Sequence, residues 1–134
     1  MKLTKISIQK NSTIEYSSKE LLFLAKSGQP YRGSIHISFI SKGETFDLLT
    51  FKKYITSLRS VTLNAEDIAY TIYKKIDEAI ESKNLGVVVD LTARGGIQQR
   101  ISFGEKFEPV VKANIFQVSN LDLKKCKTIP YANS

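Results

Sequence analysis

An α+β fold, with an antiparallel sheet packing one face under two helices, is predicted by three features of the sequence. Ile35, Ile37 and Phe39 alternate with His36, Ser38 and Ile40, the period-two pattern of a half-buried strand. Two stretches with apolar residues at helical spacing follow it. After them come two more β-rich runs, 87–91 and 96–103, joined by a connection that carries Arg94-Gly95-Gly96. With one N-terminal strand added, the order is ββααββ, in which paired strands bury their apolar side beneath the helices.

The N-terminal strand rests on Leu3, Ile6 and Ile8, and the strand over 33–41 stops at the turn Lys42-Gly43-Glu44. Leu48, Phe51, Ile55 and Leu58 then line one face of a helix from about 47–58 and leave Lys52, Lys53 and Ser57 largely toward solvent. The second helix has the clearest signal. Ile68, Ile72, Ile76 and Ile80 recur every four residues, and Ala69, Tyr73 and Ala79 widen the stripe. Asn64 is a natural N-cap, and Glu66 and Asp67 sit in a first turn where the helix dipole favours carboxylates. Lys83-Asn84 and Gly86 mark its expected end. Residues 105–134 form a less readable C-terminal extension, with a short strand expected at 114–118 and a basic end at Lys124-Lys125-Cys126-Lys127.

Nothing divides the chain into parts: no internal repeat, low-complexity tract or linker interrupts residues 1–134, so one domain is expected. The single cysteine, Cys126, allows no internal disulfide and no cysteine cluster, and the single histidine, His36, cannot build a multi-histidine site, so no metal is expected. No window approaches the roughly 18 apolar residues of a membrane span, and the N-terminus alternates where a signal peptide would be uniformly apolar. A cytoplasmic protein without a membrane partner is the expectation. The formal charge of +7 fits a polyanion such as nucleic acid, a phosphorylated small ligand, or a solvated basic surface, and does not choose among them.

The motifs narrow the choice. Ser27-Gly28-Gln29-Pro30, the strand that follows it, Ser57-Leu58-Arg59 and Ala93-Arg94-Gly95-Gly96-Ile97 occur in this order and at these separations. Together they resemble the 7-cyano-7-deazaguanine reductases, the QueF-like, NADPH-dependent nitrile reductases of queuosine biosynthesis. Each motif is weak alone, and their shared spacing is what carries the resemblance. It implies a tunnelling fold (T-fold), whose subunits join sheets into an oligomeric barrel, and so a homo-oligomer with pockets at its subunit interfaces. It also implies a purine-like or 7-deazaguanine ligand, with NADPH as the cofactor.

Three departures stand inside the same uninterrupted register. Where the family carries its nucleophilic cysteine, catalytic aspartate and histidine, this chain has Leu24, Tyr31 and Ala65. Thioimide chemistry needs an activated sulfur and a proton donor, and neither leucine nor a tyrosine of ordinary acidity supplies them. The chain is therefore expected not to reduce nitriles by that route. The amidinotransferases that depend on the same cysteine are excluded with it. A likeness of 87–91 to the GTP cyclohydrolase branch fails because that branch's zinc ligands are missing.

By the resemblance, Glu66 matches the glutamate that anchors the amino and ring NH groups of a purine or pterin, a task suited to a carboxylate with two acceptor oxygens. Asp47 stands where the family has a second substrate-contacting carboxylate. Arg94 and Gly95 match its cofactor contacts. Each has a plainer reading: Glu66 as a dipole-serving residue, Asp47 as a helix cap, and Arg94-Gly95-Gly96 as a tight hairpin. Three functions stay open. One is a T-fold protein that binds a purine, 7-deazaguanine or pterin. The others are a degenerate structural subunit that contacts nucleic acid, and an enzyme of remodelled chemistry using Tyr31, Asp47 or Cys126.

Overall fold

Two α-helices and six strands form among residues 2–111, the part of the chain that the computed structural model describes. Four strands make the main antiparallel sheet in the order β2 (Thr13–Leu24), β3 (Pro30–Ser41), β5 (Ser82–Arg94) and β6 (Ile97–Gly104). Two short strands, β1 (Lys5–Ser7) and β4 (Glu44–Phe46), pair separately as a ribbon. Helices α1 (Leu48–Ser57) and α2 (Ile68–Ala79) lie between β4 and β5 in the chain. The α+β class and two-helix layout match the sequence expectation.

One face of the sheet and the two helices share the core. Leu21 and Phe23 from β2, Ile35, Ile37 and Phe39 from β3, and Val87, Val89 and Leu91 from β5 meet Phe51, Tyr54 and Ile55 of α1 and Ile68, Ile72 and Ile76 of α2. The period-two and four-residue patterns point inward because burying them removes apolar surface from water, at roughly 25 cal/mol per Å². On the opposite face, the segment after β6 crosses the strands. Glu108 meets Arg100 on β6, and the amide of Val110 donates to Glu15 on β2 at the far edge.

Two expectations need correction. The N-terminal apolar residues do not enter the main sheet, because β1 is three residues long and pairs only with β4. The first strand of the sheet is instead β2, whose alternation is hidden by a register shift between Ser18 and Leu21. Before that bulge Ile14 and Tyr16 face the core, and after it Leu21 and Phe23 do. Lys83, Asn84 and Gly86 do not end the second helix, which stops at Ala79; they lie inside β5. Asn84 adopts φ 57 beside a shift in the β3–β5 register, and Gly86 is required because a Cβ there would strike the carbonyl oxygen of Glu105. The expected strand at 114–118 and Cys126 lie outside the described residues.

Candidate functional site

Antiparallel pairing puts the β2–β3 and β5–β6 hairpins at one end of the sheet, and the resemblance-bearing residues gather there. Gly95 and Gly96 both take positive φ, 59 and 80, as a two-residue primed turn demands, so the glycine pair does make the tight hairpin. Arg94 precedes it. Its guanidinium donates to the side chain of Gln29 and, at 3.4 Å, to the carbonyl of Pro30, and its Cζ lies 4.7 Å from the centre of the Tyr31 ring. The other neighbour of that ring is Phe23, stacked at 5.1 Å between centroids and 25° between planes. Tyr31 is thus held between an aromatic ring and a cation.

Leu24 is fixed by its backbone. Its amide donates to Val61 and its carbonyl accepts from Leu63, both at 2.9 Å, which ties the end of β2 to the chain leading into α2. Residues 65–67 then form a single 3-10 turn ahead of α2. Ala65 is buried under it, and Glu66 is exposed. Asn64 has the extended backbone of a cap but no side-chain capping bond. Glu66 Oε2 accepts from Gln99 Nε2 at 3.2 Å, a partner on β6 that the sequence reading missed. The alternation of 96–103 offered the only signal, since it sets Gln99 on the helix-bearing side with Ile101.

Asp47 is elsewhere. Its Oδ2 accepts from the Thr50 amide at 3.2 Å, the N-cap bond of α1, while Thr50 Oγ1 donates back to the Asp47 carbonyl at 2.9 Å. The preceding strand β4 pairs with β1, and Glu44 accepts from the Glu81 amide just before β5, so Asp47 belongs to the end of the sheet away from the hairpins. One chain therefore brings Glu66, Tyr31 and Arg94 to the same end and leaves Asp47 at the other. Among the described residues no group of His, Cys, Asp or Glu side chains could hold a metal, and no helix is long and apolar enough to cross a membrane.

A four-stranded antiparallel sheet whose strands and two helices run in ββααββ order, with the helices over one face and a glutamate at the head of the second helix, has the subunit architecture of a T-fold protein. The solved apo structure of the archaeosine synthase QueF-Like superposes with a TM-score of 0.67 at 17% identity, covering 75% of this chain and all of that one. The chain belongs to the QueF-like protein family, whose profile matches residues 30–109. Among its relatives is the NADPH-dependent 7-cyano-7-deazaguanine reductase of Chlorobaculum parvum, 31% identical over 91 residues, 67% of this chain and 78% of that protein. Its counterpart in Thermoanaerobacter pseudethanolicus is 28% identical over 94 residues, 69% and 71% of the two chains.

Proposed function

We propose that this QueF-like protein binds a flat heterocycle of the 7-deazaguanine, purine or pterin type at a subunit interface, with Glu66 as anchor, and does not reduce nitriles through a thioimide. The observation that carries the proposal is the chemistry of positions 24 and 31, at the same end of the sheet as an exposed carboxylate. An aliphatic side chain forms no thioimide, and a tyrosine packed between Phe23 and Arg94 is no substitute for an aspartic acid. Glu66 remains at the hairpin end, with Oε2 on Gln99, where a carboxylate can accept a pair of parallel N–H groups. Asp47 joins the same ligand only from a neighbouring subunit, because within one chain it stands at the opposite end.

Arg94 and Gly95 are the contacts that a phosphorylated ligand or NADPH would use. Nothing lies within 4 Å of a Cβ built at Gly95, so backbone access is open. Arg94, however, is already turned to Gln29, Pro30 and Tyr31, and in this arrangement it does not fit a cofactor phosphate. No step is assigned to NADPH.

Calorimetry with 7-cyano-7-deazaguanine, guanine, a pterin, GTP and NADPH tests the reading. At least one heterocycle should bind, and Glu66→Ala should weaken it by about 1.5–3 kcal/mol, the range for hydrogen bonds to a charged group. Mass spectrometry after incubation with 7-cyano-7-deazaguanine should find no covalent adduct. A thioimide adduct would refute the catalytic half, and unchanged affinity in Glu66→Ala the binding half. The excess of basic residues favours a second reading, a structural subunit that touches nucleic acid. It gains if no heterocycle binds while RNA binds with steep salt dependence.

A further inference from the structure

Two rungs of side chains cross the seam between α2 and β6. In one, Tyr70 and Phe103 meet edge to face, 4.9 Å between ring centroids and 68° between planes. Four residues back along each element stands the other, Glu66 with Gln99, and four residues return to the same face of a helix and of a strand alike. The aromatic rung therefore fixes the spacing at which the polar rung forms. Strand alternation sets Ile97 in the same row of β6 as Gln99, one step nearer the hairpin turn, and Ile97 is 68% exposed. A polar pair with an open aliphatic surface beside it thus ends the seam at the hairpin end.

The orientation of the Gln99 amide follows from its partner. A carboxylate oxygen only accepts, so the atom 3.2 Å from Glu66 Oε2 is the amide nitrogen, as a donor. That nitrogen carries a second N–H, and Glu66 Oε2 keeps a second lone pair beside a wholly open Oε1 or its equivalent in the flipped carboxylate. Along the rung the pair presents acceptor, acceptor, donor. A 2-amino-oxo pyrimidine edge, common to guanine, 7-deazaguanine and pterin, presents the complement: an amino N–H, a ring N–H and a carbonyl oxygen. The adenine edge has an acceptor nitrogen where this one has its ring N–H, and it would face Glu66 lone pair to lone pair.

Resting on the anchor role of Glu66 given above, we propose that Gln99 is the specificity-determining residue of the site. Its free N–H donates to the ring carbonyl while Glu66 accepts the two N–H groups, and the face of the ring lies over Ile97. The pair then selects 2-amino-oxo heterocycles over adenine. Because β6 is an edge strand, a ring held this way projects past the margin of the sheet, toward the place where a second copy of the chain joins it.

The test compares guanine with 6-thioguanine, which keeps both N–H groups and replaces the carbonyl oxygen by a weakly accepting sulfur. By calorimetry the parent should prefer guanine about fivefold, the worth of about one neutral hydrogen bond. Gln99→Leu should bind guanine about fivefold more weakly and lose most of that preference, whereas Glu66→Ala should weaken both bases and leave their ratio unchanged. Gln99→Glu, with an acceptor in place of the donor, should lose guanine further still. A role for Gln99 confined to holding Glu66 in place would lower both bases alike and overturn the proposal. Equal affinities in the parent, or an unchanged ratio in Gln99→Leu, would overturn it too. If neither base binds, or Glu66→Ala binds both as the parent does, the anchor reading itself fails and this inference falls with it.

Discussion

His36 had the plainest reading of any residue in the sequence, a polar position on the less apolar face of a strand, and the structure buries it. No pattern within residues 33–41 announces this, because its neighbours come from other strands: Ser17 and Glu15 on β2, Asp90 on β5, and Arg100 on β6. Desolvation lowers its pKa from 6.5, opposed by Asp90 and Glu15 and aided by Arg100. The folded state therefore prefers the neutral ring, and an unfolded chain binds the proton first as pH falls. Stability attached to His36 is complete above about pH 6.5 and is lost as pH drops through the folded pKa. The melting temperature should fall between pH 7.5 and 5.5, and His36→Gln should flatten that slope even though it lowers the whole curve. An equal slope in the variant would place the titration on another group.

At the scale of elements, what could be read depended on whether a pattern stayed in phase. The stripe Ile68, Ile72, Ile76 gave α2 because four-residue spacing is local and all three side chains face one core. Twelve-residue β2 escaped notice because its bulge moves the inward side from Ile14 and Tyr16 to Leu21 and Phe23, so no single period spans it. Asp47 illustrates the limit for the site. Its cap role was one of two readings, and the Thr50 amide bond supports that role within the single chain without touching the ligand role. Asp47→Ala should cost about 1 kcal/mol in urea unfolding, the usual worth of an N-cap carboxylate. A loss near zero would mean that the bond does not persist in solution.

For the whole molecule, the separation of Asp47 from Glu66 becomes a prediction about assembly. A ligand held by both carboxylates must lie between two copies of the chain, since each copy presents them at opposite ends of its sheet. A ring of such copies repeats one head-to-tail contact, and every contact then pairs the Glu66 end of one chain with the Asp47 end of the next. Glu66→Ala and Asp47→Ala should each lose most heterocycle binding when prepared alone. Unfolded together in equal amounts and refolded as a mixture, they should regain about one site in four, because random assembly joins an intact Glu66 to an intact Asp47 at that frequency. Calorimetric stoichiometry reads the recovered fraction directly. If the mixture binds no better than its parents, the two residues do not share a ligand. If Asp47→Ala alone keeps full binding, Glu66 anchors the heterocycle without it, and the carboxylate at the head of α1 serves the helix only.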